Sequence, residues 1–126
     1  MKYAFSESFT VKARGLAEKL NYAHIAPERI SCIISKGTKT KRTIARIHAL
    51  GKAMQLGMNE KPFYVIELME PFFKETEEEQ TKTLIHELMH IPHSFGGGFR
   101  HHKPFVNKNT VEKEFARLNA FSGKPI

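Results

Sequence analysis

The feature that most constrains the fold is one strongly predicted helix in the second half of the chain. Thr76 is followed three residues later by Glu79, which is the spacing of a capping box at the start of a helix. Apolar residues then recur at helical spacing, at Leu84, Leu88 and Ile91. Pro92 predicts the end of the helix at Ile91, because proline lacks a backbone donor and its ring disrupts the preceding turn. A helix with one apolar face has to pack against a second layer of structure.

The same helix carries the sequence His-Glu-Leu-Met-His at positions 86–90. An α-helix turns by about 100° per residue, so His86 and His90 lie one turn apart on one face and can bind the same metal ion. Glu87 lies beside them, within reach of a water molecule that the ion activates. This arrangement provides two ligands and the general base in zinc hydrolases. We therefore predict His86 and His90 as ligands of one Zn²⁺ ion and Glu87 as the catalytic base.

A catalytic zinc ion needs a third protein ligand and an open fourth position. The sequence contains no Asp, which excludes an aspartate ligand and also a Ser-His-Asp triad. The remaining candidates are His93, His101, His102, Glu112 and Glu114. His93 is the least suitable, since on a continued helix it would lie about 10 Å along the axis from His86. The glycines at 96–98 can turn the chain back towards the helix, which favours His101 and His102.

Three segments carry a pattern that is more specific than the helix motif alone. They are residues 35–47 (SKGTKTKRTIARI), residues 62–67 (PFYVIE) and residues 86–102 (HELMHIPHSFGGGFRHH). Across roughly residues 29–106 the sequence resembles a small family of single-domain metallopeptidases, known from archaea and phages and related to the minimal zincins. The resemblance implies a zinc peptidase whose third ligand is the histidine after an Arg-x dipeptide, which is His102 after Arg100 here.

This sequence departs from the family pattern at His101, where the family usually has another residue, often proline. His101 therefore stays open as an alternative ligand. A transition-state role is also open for His101 or Arg100, because either side chain can stabilise developing negative charge. Arg100 has a second interpretation as a structural partner of a glutamate.

The function predicted from these residues is hydrolysis of a peptide or protein substrate by a metal-activated water, with Glu87 as general base. Two alternatives remain open. One is a zinc-dependent nuclease or phosphoesterase acting on nucleic acid, although such sites generally recruit extra carboxylates. The other is a non-catalytic binding module stabilised by zinc, in which four protein ligands, His93 or His101 among them, enclose the ion.

Length and composition are typical of one domain, and we expect a single metallopeptidase domain over residues 1–126. No apolar run approaches the length of a membrane span, and the N-terminus lacks the apolar core of a signal peptide. Cys32 is the only cysteine, and its isoleucine neighbours indicate a buried spacer rather than a nucleophile. A cytoplasmic location without membrane contact is the resulting default, and the sequence does not indicate an oligomeric state.

The remaining segments predict an α+β fold. A helix is expected near the N-terminus from the spacing of Phe5, Phe9, Leu16 and Leu20. Strands are expected at 30–35, 43–50 and 63–68, and a hairpin at 37–40 is expected to join the first two. Residues 52–58 are ambiguous between a strand and a helical turn. A last helix is expected to begin at Asn109, with a packing stripe of Val111, Phe115 and Leu118.

Together with the resemblance, these elements predict a minimal zincin-like domain. In this arrangement a small, mainly antiparallel sheet packs with the N-terminal helix, the H-E-x-x-H helix and the C-terminal helix.

Charge is unevenly distributed along the chain. Residues 29–59 contain seven Lys and Arg and no acidic residue, while residues 67–79 contain six Glu and one Lys. One interpretation is a solvated basic hairpin that faces the acidic segment. The other is weak contact with nucleic acid through residues 29–59, although this region lacks the aromatic array that stacks single-stranded bases.

Overall fold

The computed structural model describes residues 2–37, 42–96, 99–100 and 105–122. These residues form four strands and four helices. The strands are β1 (Lys2–Phe5), β2 (Ile30–Lys36), β3 (Ala45–Ala49) and β4 (Tyr64–Leu68). The helices are α1 (Glu7–Lys19), α2 (Lys52–Met58), α3 (Glu77–Met89) and α4 (Lys108–Ser122). Short 3₁₀ turns precede β2 and α3, at Pro27–Arg29 and Glu70–Lys74. The predicted α+β class is confirmed, and the ambiguous segment 52–58 is a helix.

The four strands form one sheet in the order β1-β2-β4-β3. β2 and β4 are parallel, while the two outer pairs are antiparallel, so the sheet is mainly antiparallel as predicted. The predicted hairpin between β2 and β3 is wrong, because β4 lies between them. β4 is buried along most of its length, whereas β3 is largely exposed. The apolar strand therefore takes the central position, where neighbours on both sides remove it from water.

The N-terminal helix begins later than the sequence pattern predicts. Phe5 lies in β1 and is 60% exposed, so it does not belong to the helical stripe. Ser6 is the N-cap of α1, and its hydroxyl accepts a hydrogen bond from the Phe9 N–H at 3.2 Å. The residues that α1 does bury towards the core are Ala13, Leu16 and Ala17.

One hydrophobic core joins α1, the two central strands, α3 and α4. Cys32 of β2 lies inside this core with none of its surface exposed. Burial raises the pKa of the Cys32 thiol to about 12, because the charged thiolate would lose its hydration. Cys32 is therefore a packing residue, as predicted, and not a nucleophile.

Helix α4 begins close to the predicted position but with a different cap. Asn107 caps it, since the Asn107 Oδ1 atom accepts a hydrogen bond from the Thr110 N–H at 3.0 Å. The predicted packing stripe is confirmed by buried or core-contacting side chains at Val111, Phe115 and Leu118. No helix within the described ranges combines the length and the apolar character that crossing a bilayer requires.

Candidate metal centre and active site

Helix α3 is fixed at its start by the capping box that the sequence predicts. The Thr76 hydroxyl accepts a hydrogen bond from the Glu79 N–H at 3.2 Å, and the Glu79 carboxylate accepts one from the Thr76 N–H at 2.8 Å. Glutamates in the first turn also interact favourably with the helix dipole. The helix continues to Met89, and His90 is its C-cap, so the H-E-x-x-H sequence occupies its C-terminal end.

The two histidine side chains of this sequence converge. The Nε2 atoms of His86 and His90 are 3.3 Å apart, and their ring centroids are 5.0 Å apart. Two imidazole nitrogens bound tetrahedrally to one zinc ion, each at about 2.0–2.1 Å, are separated by about 3.3 Å. The two rings therefore have the spacing that binding to one shared ion requires.

His90 is held by both hydrogen-bonding groups of the Arg100 backbone. Its Nδ1 lies 2.8 Å from the Arg100 carbonyl oxygen, and the Arg100 N–H donates to the His90 carbonyl at 2.8 Å. Because a carbonyl can only accept, Nδ1 carries the proton and Nε2 retains the lone pair that a metal needs. No sequence pattern marks a backbone carbonyl as a histidine partner, so sequence reasoning missed this contact.

Glu87 is buried beside the histidine pair, with 6% of its surface exposed. Its Oε2 atom lies 4.0 Å from the Nε2 atom of His86. Burial raises the pKa of Glu87 to about 7, because the charged carboxylate loses hydration. A carboxyl group with a pKa near neutrality can both accept and release a proton, which is the property that a general base requires.

The chain reverses after α3 through a glycine that no other residue can replace without strain. Gly96 has a φ of 96°, and its N–H donates to the Tyr64 hydroxyl at 3.0 Å. A Cβ atom at this position would lie 2.6 Å from Cγ of Pro62. Four residues later Arg100 contacts His90, so the chain has returned to the helix as the glycine run predicts.

The structure does not describe the two leading candidates for a third ligand. His101 and His102, the two leading candidates, lie outside the described ranges. Within those ranges, no three His, Cys, Asp or Glu side chains are grouped so as to hold a metal ion. His93 packs against His24 instead, with ring centroids 4.5 Å apart. His102 therefore stays a prediction as the third ligand, with His101 as the alternative.

The two glutamate candidates for the third ligand both form ion pairs within the fold. The Glu112 carboxylate pairs with the Lys82 ammonium at 2.9 Å. The Glu114 carboxylate pairs with the Arg117 guanidinium at 2.7 Å. Both carboxylates are thus neutralised by basic side chains, which makes them less suitable as metal ligands.

The Arg100 side chain has no carboxylate partner in the described part of the chain. Its guanidinium carbon lies 4.6 Å from the centroid of the Phe105 ring, in a cation–π contact. The interpretation of Arg100 as a structural partner of a glutamate is therefore not supported. Its described contacts with His90 come from the backbone, and its role in stabilising a transition state stays a prediction.

Two open cavities meet at His86 and Glu87 and follow strand β3. One, of about 450 Å³, extends from His86 and Glu87 towards the starts of α3 and α4. The other, of about 370 Å³, extends past His90 to Arg100. Ala45 of β3 lines both cavities. Because β3 is at the edge of the sheet, the two cavities form a groove along that edge.

The basic segment at residues 29–59 is partly used in ion pairs. Arg29 pairs with Glu60 at 3.1 Å, and Arg46 pairs with Glu67 at 3.0 Å. Glu67 belongs to the acidic segment, so this second pair agrees with the interpretation in which the two segments face each other. Residues 38–41 lie outside the described ranges, and nucleic-acid contact through the basic segment stays a prediction.

The sequence matches a known protein family over most of its length. A family model described as "Putative phage metallopeptidase" matches residues 5–116, which include the whole of α3. No curated protein and no solved structure matches this chain. The match confirms the resemblance found in the sequence, and at the level of the family it implies a metal ion and a hydrolase.

Proposed function

This chain belongs to the phage metallopeptidase family, and on that premise we propose that it is a zinc-dependent peptidase. His86, His90 and His102 hold one zinc ion, and Glu87 is the general base. The observation that carries the proposal is the 3.3 Å separation of the two Nε2 atoms at the end of α3. That separation fits two bonds from one tetrahedral ion.

The imidazole nitrogens of His86 and His90 suit zinc in their chemistry as well as in their spacing. Imidazole nitrogens are ordinary zinc ligands, and the hydrogen bond from Nδ1 of His90 leaves its Nε2 atom to bind the ion. A zinc ion bound here supplies a Lewis acid that polarises a peptide carbonyl and lowers the pKa of water. His102 follows Arg100 by two residues, and the Arg100 backbone contacts His90, which favours His102 over His93 as the third ligand.

Glu87 performs the proton transfers. As a water oxygen attacks the carbonyl carbon of the substrate, the Glu87 carboxylate accepts one proton from that water. The C–N bond then breaks, and Glu87 donates the proton to the leaving amine nitrogen, which regenerates the carboxylate. The burial of Glu87 supports this role, because a poorly hydrated carboxylate binds a proton more readily.

The substrate is an extended peptide that lies in the groove along β3. An extended chain can add to the edge of a sheet through main-chain hydrogen bonds, which tolerates many side-chain sequences. The two cavities that meet at His86 and Glu87, about 450 and 370 Å³, accept side chains on the two sides of the scissile bond. This open groove also favours catalysis over a zinc site enclosed by four protein ligands.

A cleavage assay with the zinc-loaded full chain tests the proposal. We expect hydrolysis of casein that stops when a chelator removes the metal and returns when zinc is added. Hydrolysis of RNA without hydrolysis of casein would favour the nuclease alternative. Tight zinc binding without hydrolysis of either substrate would favour the non-catalytic binding module.

The ligand set is tested separately by the zinc content of dialysed variants. We expect His90→Ala and His102→Ala to lose zinc, because each removes one of only three protein ligands. His101→Ala is the matched control and is expected to retain zinc. The reverse result, with zinc lost from His101→Ala and retained by His102→Ala, would identify His101 as the third ligand.

A further inference from the structure

A separate cavity of about 420 Å³ lies next to the C-terminal end of α3. Its wall includes His24, His93, Arg100, Phe105, Lys113 and Glu114. Arg100 lines both this cavity and the groove along β3. The Arg100 guanidinium lies over the ring of Phe105, another residue of this cavity. The Arg100 backbone is hydrogen-bonded to His90.

The cavity carries an excess of positive charge. In the described part of the chain, neither Arg100 nor Lys113 forms an ion pair with a carboxylate. Glu114 does not balance them, because its carboxylate is already bound by the Arg117 guanidinium at 2.7 Å and by the Tyr22 hydroxyl at 2.5 Å. Two cationic side chains therefore face one cavity without a counter-ion from the described residues.

Two imidazole rings line the same cavity. The rings of His24 and His93 lie side by side, with centroids 4.5 Å apart. The pKa of His24 is lowered by burial and then by the positive charges of His93 and Arg100, against the opposing effect of the Ile91 carbonyl. A metal cation between these two rings would be repelled by Arg100, whereas an anion would be attracted.

We propose that this cavity is a binding site for an oxyanion of the phosphate class. Arg100 and Lys113 supply the positive charge, and the His93 ring can supply a further N–H donor, whereas the N–H of His24 is used by the Ile91 carbonyl. Guanidinium and ammonium groups are the usual means by which proteins bind phosphate oxygens.

The site has a structural consequence for the metal centre. The Arg100 backbone donates to the His90 carbonyl and accepts from its Nδ1, each at 2.8 Å. An anion bound by the Arg100 side chain therefore stabilises the segment that orients His90. This inference does not depend on hydrolysis, because anion binding is measured without a peptide substrate.

Calorimetric titration of the full chain with sodium phosphate tests the inference, with chloride used to hold the ionic strength constant. We expect saturable binding that Arg100→Gln weakens by about tenfold or more, since a hydrogen bond to a charged group contributes about 1.5–3 kcal/mol. Lys113→Gln is expected to weaken binding several-fold. Lys19→Gln is the matched control, because it removes an exposed lysine at the end of α1 and should leave binding unchanged.

Lys113→Gln keeps the test decisive if Arg100→Gln does not fold, since Lys113 is exposed. Phosphate bound at the histidine pair would be insensitive to Lys113→Gln, because Lys113 does not line the groove along β3. Equal affinity in all variants, or no binding beyond that of chloride, would overturn the inference. Tighter binding of adenosine monophosphate than of phosphate would identify a phosphate ester as the ligand, and the reverse would identify the free anion.

Discussion

Two glutamates, Glu87 in α3 and Glu67 in β4, are both almost completely buried, with 6% and 1% of their surfaces exposed. They differ in the charges around them. The Oε1 atom of Glu67 accepts hydrogen bonds from Nε of Arg46 at 3.0 Å and from Nε2 of His48 at 2.7 Å. Glu87 has no Lys or Arg partner among the described residues, and its carboxylate lies 4.0 Å from Nε2 of His86.

The pKa values of the two carboxyl groups are consequently shifted in opposite directions. Burial acts to raise the pKa of Glu67, but hydrogen bonds from Arg46 and His48 and the charge of Arg46 outweigh it and lower the pKa to about 2. For Glu87, burial alone raises the pKa to about 7. The fold thus balances the charge of Glu67 internally, whereas Glu87 can exchange a proton near neutral pH, as groups at functional sites often do.

The largest effect is expected from Glu87→Gln. Hydrolysis should fall by about a hundredfold or more, because the general base is lost. Zinc content should be unchanged, since Glu87 is not a ligand. The free energy of unfolding of the metal-free protein should not fall, because glutamine removes a buried charge without a counter-ion. Casein hydrolysis at equal zinc content and urea unfolding measure these quantities, and hydrolysis at the wild-type rate would contradict the role of Glu87.

The opposite pattern is expected from Glu67→Gln. The free energy of unfolding should fall by about 1–3 kcal/mol, because Arg46 and His48 lose their charged acceptor. Hydrolysis per folded molecule should change little, since Glu67 does not line the groove. Urea unfolding and casein hydrolysis of this variant, measured beside Glu87→Gln, complete the comparison. A loss of hydrolysis without a loss of stability would show that Glu67 acts in the site.

The pH dependence of stability should separate wild type from Glu67→Gln. The pKa of Glu67 is about 2 in the folded chain and has an ordinary value of 4.5. On acidification the unfolded chain therefore takes up this proton first, so the stability from Glu67 is present above pH 4.5 and is lost towards pH 2. The difference in unfolding free energy between the two proteins should shrink over that interval. A difference that is constant from pH 6 to about 2 would mean that the Glu67 pKa is not lowered.

The difference between these two glutamates also shows what could be predicted from the sequence. The role predicted for Glu87 rests on local signals, since Thr76, Glu79 and the helical spacing of the motif all lie within one helix. The environment of Glu67 depends on Arg46, which is its direct neighbour across β3 and β4. That pairing was not predictable, because the sequence favoured a β2–β3 hairpin and strand order depends on contacts distant in the chain.

The same distinction applies within the candidate site. The spacing of His86 and His90 follows from helical geometry and was predicted correctly. The Arg100 carbonyl that binds His90 has no side-chain signal, and the contact of Gly96 with Pro62 joins segments that are far apart in sequence. Strand β1 was missed because its four residues are too few to show a period.

The smallest effect is expected from Arg46→Gln, which makes the surroundings of Glu67 more like those of Glu87. Because half of the Arg46 side chain is exposed and His48 remains in place, the free energy of unfolding should fall by only about 0.5–1.5 kcal/mol. The pKa of Glu67 should rise, so the acid-induced loss of stability should begin at higher pH. Arg29→Gln is the control for the pH dependence alone, since it removes an arginine from the more exposed Glu60 but also loses hydrogen bonds to the Lys61 and Pro62 carbonyls. Acid unfolding of Arg46→Gln identical to wild type would show that Arg46 does not cause the difference between the two glutamates.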